Sequence, residues 1–186
     1  MDIIQCPARP VRHAGLTLLE LMITLVISAI LTTLAVPAMR AVVLDNRMVT
    51  QVNHLITHLH LGRSEAVLRN LQVVMCKSPD GAACTNTAQW EEGWILFVDA
   101  DENEQRAQNE RILRTGNALP DGLALNYAGF GSAHYLTFKP SGITNVNGTF
   151  TLCDDRGGEY AKAVIVSKTG RPRAARRKAT GDPLEC

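Results

Sequence analysis

A long apolar run dominates the first part of the chain, from Leu16 to Val36, with Glu20 as its single charged residue. A helix rises 1.5 Å per residue, so this run would be about 30 Å long, the thickness of a bilayer core. Arg9 and Arg12 precede the run, and basic residues on that side predict a cytoplasmic N-terminus. Residues 16–36 are therefore predicted to form one membrane-spanning helix.

Beyond the apolar run, residues 37–70 have the pattern of an amphipathic helix. Apolar residues recur at steps of three and four, which places them on one helical face that packs against a core. This stripe consists of Leu44, Met48, Val52, Leu55, Leu59 and Ala66.

Three histidines lie on the same predicted helix, and two of them, His54 and His58, are four residues apart. That spacing brings two side chains to one helical face and suits a metal ion. The third is His60, but the segment has no His-Glu-x-x-His motif and no obvious third ligand. We therefore expect surface histidines and no metal site.

Short strands separated by turn signals follow from residue 71 onward. Pro-Asp-Gly, Pro-Ser-Gly and Asn-Gly sequences mark the turns. A long helix followed by an antiparallel meander predicts an α+β fold, in which the helix covers one sheet face of a globular head, residues 71–186. The predicted strands are Leu71–Cys76, Gly93–Val98, Arg111–Arg114, Leu123–Tyr127, Tyr135–Lys139, Thr149–Cys153 and Ala161–Lys168.

Charge is balanced over the whole chain, with 19 Lys and Arg against 18 Asp and Glu, so net charge predicts no particular partner. Its distribution is more informative, because cations concentrate near the C-terminus without an acid among them. Aromatic residues make up only 5% of the chain, so the core is expected to be mainly aliphatic. The basic residues are Lys168, Arg171, Arg173, Arg176, Arg177 and Lys178.

Pro172 biases Arg171 towards an extended conformation. In an extended segment, Arg171 and Arg173 point the same way, with Cα atoms about 6–7 Å apart. Guanidinium groups bind phosphate oxygens bidentately, so the pair suits a nucleic-acid backbone without reading its bases. The alternatives are a solvated basic loop and a patch that docks on acidic surfaces of other proteins.

Glu20 is costly inside a membrane unless it has a partner. Cleavage after Gly15 would create a free amine on Leu16, four residues away and on the same helical face. The carboxylate would then neutralise this amine, or that of a neighbouring subunit. The alternative is a carboxylate near the headgroups of an ordinary membrane anchor.

Residues 15–21, Gly-Leu-Thr-Leu-Leu-Glu-Leu, resemble the type III signal of type IV pilins and type II secretion pseudopilins. The resemblance implies that a prepilin peptidase removes residues 1–15, that Leu16 becomes N-methylated, and that Glu20 guides subunit docking. Most members have Phe where this chain has Leu16. The resemblance also implies that Pro37 falls where pilins often bend their long helix.

The cysteines fit an exported protein. Cys6 lies in the expected leader, and four cysteines remain, which favours two disulfides in an oxidising compartment. Four cysteines permit three pairings, and sequence proximity favours Cys76–Cys84 and Cys153–Cys186. Zinc is the competing interpretation, but these cysteines form no Cys-x-x-Cys pair.

Three strand segments, residues 93–99, 136–142 and 163–167, resemble the GspH/FimT group of minor pilins and pseudopilins. Gly170-Arg171-Pro172-Arg173 is similar to the Gly-Arg-x-Arg motif of FimT proteins, which are linked to DNA uptake in natural transformation. This resemblance implies a pilin fold and DNA binding through Gly170, Arg171 and Arg173. Charge alone adds the four other basic residues to the interface: Lys168, Arg176, Arg177 and Lys178.

The resemblance also implies partners and location. The subunit would sit in the inner membrane with a periplasmic head, meet the prepilin peptidase, and join other pilins in a surface pilus. Two further functions are possible: a minor pilin that primes assembly without DNA binding, and a type II secretion pseudopilin. No nucleophile–base pair or phosphate-binding Gly-rich loop is evident, so we expect neither enzymatic activity nor a cofactor.

Asp99, Asp101 and Asn103 form an Asp-x-Asp-x-Asn pattern that suits calcium. An EF-hand loop would have Gly where this chain has Glu104, although Glu110 occupies the twelfth position. Acidic loops of this kind are also common as solvated connectors between strands. The expectation is a connector without a metal ion.

Overall fold

The computed structural model describes Gly15, residues 17–129 and residues 133–186. Leu16 and the first 14 residues of the expected leader lie outside the described residues. The chain divides into two compact units, one ending at Leu44 and one running from Asp45 to Cys186. The first unit contains the apolar part of the helix, and the second contains the head.

A single helix, α1, runs from Leu18 to Arg69 and continues through Pro37. Thr17 caps its start, because the Thr17 Oγ1 accepts a hydrogen bond of 3.2 Å from the backbone N–H of Glu20. Asn70 follows its end with a φ of 53°, a left-handed conformation typical of helix C-termini. The predicted apolar and amphipathic segments are therefore parts of one element.

In the first unit, most of the large apolar side chains of α1 that the structure describes are exposed, including Leu18 and Leu31. The helix is long and apolar enough there to cross a membrane. Its hydroxyl groups are satisfied within the helix, since Thr24 donates to the Leu21 carbonyl (2.9 Å) and Ser28 to the Thr24 carbonyl (2.7 Å). This leaves little unsatisfied polar surface to oppose burial in lipid or between helices.

The described residues of the head form eight strands in two antiparallel sheets. Each predicted strand is present, with ends displaced by at most two residues, and a short 3-10 helix at Trp90–Glu92 precedes β2. The first sheet has the order β3-β2-β1-β5 and the second the order β4-β6-β7-β8. The strands are β1 Gln72–Lys77, β2 Trp94–Asp99, β3 Ile112–Gly116, β4 Ala124–Gly129, β5 Tyr135–Phe138, β6 Gly148–Cys153, β7 Lys162–Val166 and β8 Pro172–Ala175.

The expected single meander was wrong in two respects. Strand β5 lies between β4 and β6 in sequence, but it pairs with β1 of the first sheet, where Phe138 lies opposite Val73. Every residue of β1 is buried, so this strand needs a neighbour on both edges to satisfy its backbone groups. In addition, the basic segment contributes β8, which the sequence did not predict as a separate strand.

One core joins α1 to the inner faces of both sheets. The predicted helical stripe provides Met48 and Leu59, the first sheet provides Leu96 and Phe138, and all four are fully buried. Around Phe150 of the second sheet, Trp90 packs edge-on at a ring distance of 5.1 Å. Because every buried cluster lies within residues 48–184, the second unit holds a complete core of its own.

Each disulfide lies beside the outer face of one sheet. Cys76–Cys84 joins β1 to the following loop, where Cys84 packs with Ile95 and Phe97. Cys153–Cys186 joins the end of β6 to the last residue of the chain. The structure thus contains both bonds in the pairing expected from sequence proximity.

Candidate nucleic-acid interface

The basic segment forms the turn between β7 and β8 and the residues that follow it. Ser167 N–H donates to the Arg171 carbonyl (3.3 Å), and Gly170 N–H donates to the Ser167 carbonyl (2.8 Å). The hydroxyls of Ser167 and Thr169 share a further hydrogen bond of 2.7 Å. Lys168 and Arg171 are therefore carried on a short, internally bonded connector between two paired strands, and Arg173 lies on the second of these strands.

Arg171 and Arg173 lie on one side of the chain and Pro172 on the other. Pro172 is buried opposite Val166 on the core face, whereas both arginines are exposed. Side chains two apart in an extended segment share a face, so the two guanidinium groups point outward together. On that outer face, Arg173 lies opposite Ile165 of β7.

The six basic residues differ in their partners. Arg177 donates to the Gly181 carbonyl (3.1 Å), and the Lys178 ammonium pairs with Glu185 (2.9 Å). Both contacts belong to the C-terminal turn: Glu185 offsets the charge of Lys178, and the hydrogen bond to Gly181 holds the Arg177 side chain in place. The other four are exposed and make no ion pair with any described residue: Lys168, Arg171, Arg173 and Arg176.

Gly170 lies where the basic turn meets both α1 and the connection after β5. Its φ is +74°, and a Cβ atom there would clash with the Gly142 carbonyl oxygen. Arg63 of α1 binds both segments, because its Nε donates to the Gly142 carbonyl (3.0 Å) and the Thr169 carbonyl (3.3 Å). Only glycine suits both the conformation and the close approach at this position.

The C-terminal segment is fastened to the head beyond the basic turn. Arg177 pairs with Pro183 in a β-bridge, and Lys178 N–H donates to the Asp182 carbonyl (2.9 Å). Leu184 is 5% exposed and packs with Cys153, the residue that forms the disulfide to Cys186. The basic residues consequently lie between two anchored points rather than on a free tail.

Comparison with known proteins identifies the family. A family model described as "Type II transport protein GspH" matches residues 51–170, which is more than half of the chain. The chain belongs to the GspH family. A second model, the prokaryotic N-terminal methylation motif, matches residues 11–36 of this GspH-family protein and so spans Gly15, Leu16 and Glu20.

Relatives and solved structures agree with this assignment. The "Pilin-like protein PilA1" of Thermus thermophilus is 32% identical over 165 residues, which cover 86% of this chain and 96% of that protein. The type IV minor pilin FimU of Pseudomonas aeruginosa matches with a TM-score of 0.54 and 21% identity, over 70% of this chain and 89% of FimU. The minor pseudopilin EpsH of the Vibrio cholerae type II secretion system matches with a TM-score of 0.50 and 14% identity, over 77% of this chain and 99% of EpsH.

The GspH-family protein is thus a minor type IV pilin or pseudopilin with the α+β pilin fold. Such proteins are structural components that associate with other pilins, not enzymes. The methylation motif and the apolar part of α1 indicate a membrane-anchored subunit.

The acidic loop of this pilin is exposed in its middle, at Asp101 and Asn103, but its two ends are buried. Asp99 is fully buried and accepts hydrogen bonds from Gln72 Nε2 (2.8 Å) and from the Glu104 backbone N–H (2.9 Å). Glu110 is also buried and accepts from the N–H groups of Ala100 and Ala107. The carboxylates of Asp99, Asp101 and Glu110 lie within 4.8 Å of one another, and this arrangement organises the loop through backbone amides.

The expectation of surface histidines holds for His54 and His60 but was wrong for His58. His58 is buried, and its Nδ1 accepts a hydrogen bond of 3.0 Å from Trp94 Nε1. Burial lowers the pKa of His58, and His54 and Arg114 lower it further. This histidine therefore has a structural partner in the core, which spacing along the helix did not reveal.

Sequence reasoning found the two arginines of the motif but missed the residue that holds their turn. Arg63 lies on the amphipathic helix, more than 100 residues before the turn, where an arginine looks like an ordinary solvent-facing residue. Its hydrogen bonds to Gly142 and Thr169 span 79 and 106 residues of sequence. The Pro-Ser-Gly sequence at residues 140–142 predicted a turn and nothing more. Its contact with Gly170 is visible only in the structure.

Proposed function

We propose that this minor pilin binds DNA without sequence preference through the β7–β8 turn, during DNA uptake in natural transformation. The observation that carries the proposal is the outward pair of arginines. Arg171 and Arg173 are exposed on the same side of an ordered turn and are not neutralised by any described acid. Planar guanidinium groups on adjacent positions of one face suit successive phosphate oxygens of a backbone.

We infer that two of the four remaining cations add to this surface. Lys168 and Arg176 are exposed on either side of the arginine pair, whereas Arg177 and Lys178 already have partners within the chain. Contacts of this kind position a protein on nucleic acid without reading its sequence. We therefore infer that Arg171 and Arg173 provide most of the binding and that Arg177 and Lys178 contribute least.

We further propose how the subunit is delivered to the membrane and the filament. A prepilin peptidase removes residues 1–15, the new N-terminus at Leu16 is methylated, and Glu20 pairs with a free amine during assembly. The subunit then sits in the inner membrane with its head in the periplasm before it joins the pilus. The match of residues 11–36 to the methylation motif supports this order of events.

A second function is favoured by the family model itself, whose description is a type II transport protein. In that case the head recognises secreted proteins or primes assembly, and the basic turn contacts only other subunits. The two proposals differ in affinity for DNA. A pseudopilin of this kind would not bind duplex DNA even at low salt.

The deciding experiment is a titration of the full chain, in non-ionic detergent, with a short double-stranded DNA across a range of KCl concentrations. Replacing Arg171 and Arg173 with Ala should weaken binding and reduce the slope of log K against log salt by about 0.9 per lost phosphate contact. Binding should be equally tight for duplexes of unrelated sequence. Fluorescence anisotropy of a labelled duplex provides the measurement.

A matched control removes two cations elsewhere, Arg47 and Arg111. Arg47 lies 16 residues before Arg63 on α1, about 24 Å along the helix, and Arg111 precedes β3, at the far edge of the first sheet from β5. Both side chains are exposed. Equal slopes for the parent protein and the Arg171→Ala, Arg173→Ala variant would refute the DNA-binding proposal.

A further inference from the structure

The basic turn is packed against a second turn, residues 139–142. Gly142 N–H donates to the Lys139 carbonyl (2.8 Å), and Lys139 N–H donates to the Ile143 carbonyl (2.8 Å), which closes that turn. Thr144 then joins it to the basic turn, since its N–H donates to the Lys168 carbonyl (3.0 Å) and its hydroxyl to the Ser167 carbonyl (3.1 Å). Thr144 is 1% exposed, so these bonds are shielded from water.

Arg63 fastens the same two turns from the side of α1. Its Nε lies between the Gly142 and Thr169 carbonyl oxygens, at 3.0 and 3.3 Å. A charged donor makes shorter and stronger hydrogen bonds than a neutral one, which suits a bond that holds two segments together. Gly142 and Gly170 both have positive φ, and they allow the two backbones to approach closely.

Each of the two turns also carries a positively charged side chain. Lys139 is exposed on one of them and Lys168 on the other. The strands and turns around both lysines lack Asp and Glu. This holds for residues 124–153, which include the second turn, and for residues 160–181, which include the basic turn. The positive surface therefore does not end at the turn between β7 and β8.

We propose that the two turns form one phosphate-binding surface, in which Lys139 makes a backbone contact and Arg63 positions the turn that carries Arg171. This inference rests on the proposed DNA binding and extends it away from the C-terminal run. The duplex backbone would then cross from Arg173 and Arg171 towards Lys168 and Lys139. Arg63 acts through the carbonyls of the two turns and needs no contact with DNA.

The contact is tested with Lys139→Ala in the same salt titration of the full chain in detergent. Loss of one phosphate contact should reduce the slope of log K against log salt by about 0.9, the same reduction that we expect for Arg171→Ala alone. Arg111→Ala, an equal change of charge at the far edge of the first sheet, should leave the slope unchanged. A slope for Lys139→Ala equal to that of Arg111→Ala would remove the second turn from the interface.

The positioning role is tested with Arg63→Lys, which keeps the charge but loses the Nε bonds to the two carbonyls. In this background Arg171→Ala should have a much smaller effect on DNA affinity than in the parent, because Arg171 is no longer held in place. If Arg63 stabilised the fold without positioning Arg171, the effects of the two substitutions on the free energy of DNA binding would be additive. Additive effects would therefore overturn the role of Arg63.

Failure of the proposed DNA binding gives a different result from failure of this inference. If the Arg171→Ala, Arg173→Ala variant binds like the parent, the proposed function itself is wrong, whatever the other variants do. If that variant weakens binding while Lys139→Ala and Arg63→Lys behave like the control, only the two-turn surface is wrong. Should Arg63→Lys not fold, which thermal unfolding of each variant checks, Lys139→Ala still decides whether the second turn belongs to the surface, and Gly170→Ala takes the place of Arg63→Lys as the change that displaces the basic turn.

Discussion

Gly170 shows how one residue controls the position of the basic turn. Its left-handed conformation is accessible to glycine at little cost, and its missing side chain leaves room for the Gly142 carbonyl. The family resemblance marks this glycine through the Gly-Arg-x-Arg motif, but only the structure gives the reason for it. The two arginines that follow can point outward because the backbone before them turns sharply inward.

Gly170→Ala should therefore destabilise the head more than the same change at Gly122. Both glycines have positive φ, +74° and +83°, so both substitutions impose a backbone strain of about 1–3 kcal/mol. Only at Gly170 does the new methyl group meet another atom of the head, since Gly122 has open space around it. Urea unfolding of residues 44–186, which hold the complete core, measures the free energy of each variant.

The comparison with Gly122 separates the destabilisation caused by the contact with the Gly142 carbonyl from the destabilisation caused by backbone strain. A larger loss of unfolding free energy at Gly170, with weaker DNA binding, is the expected result. Equal losses at the two positions would mean that the approach of Gly142 does not constrain the turn.

At the scale of elements, α1 is tied to the first sheet by the hydrogen bond between His58 and Trp94. The acceptor is the unprotonated Nδ1 of His58, and the ring is buried. Burial lowers the pKa of His58, as do His54 and Arg114, so folding disfavours the protonated form of this histidine.

Stability should consequently fall on acidification. Above a pH of about 6.5, the ordinary pKa of histidine, His58 is neutral in both the folded and the unfolded chain. Below that pH the unfolded chain binds a proton first, and the head loses up to about 1.4 kcal/mol per pH unit until the lowered folded-state pKa is reached. His58→Gln keeps an acceptor for Trp94 and should remove this part of the pH dependence.

The measurement is urea unfolding of residues 44–186 at several pH values. His60→Gln is the control, because His60 is exposed on the same helix. The difference between parent and His58→Gln cancels the titrating groups that do not interact with His58. A difference that does not change with pH would contradict the account of His58.

The elements were predictable where the local pattern determines them. The helix, the seven strands and their turns follow from periodicity and from Gly and Pro signals, and the four cysteines pair with their sequence neighbours. The pairing of β5 with β1 was not predictable, since it depends on the need of a fully buried strand for two neighbours. The same holds for Arg63 and His58, whose partners lie far away in sequence.

At the scale of the whole molecule, a formal net charge of +1 conceals a separation of charge. The acid-free segments are adjacent in the head, because β6, β7 and β8 pair in one sheet and β5 leads into the turn beside them. The acidic residues lie instead at the end of β2 and in the connection from β2 to β3: Asp99, Asp101 and Glu110. A local field of one sign attracts a polyanion even when the total charge is small.

The account depends on a head carried by a membrane-anchored subunit that keeps its apolar helix after processing. Glu20 lies in the first turn of that helix, where the Thr17 hydroxyl caps its backbone N–H. The proposed cleavage after Gly15 would create an amine four residues before Glu20 in sequence and would leave α1, Leu18–Arg69, intact. The anchor is then the same segment that would pack between subunits in a filament.

The most direct test is the intact mass and N-terminal sequence of the mature polypeptide purified from membranes of the producing cell. The account predicts a chain that begins at Leu16, carries one added methyl group on its amine, and contains both disulfides. A mature chain that still begins at Met1, or one that begins beyond Val36, would contradict it.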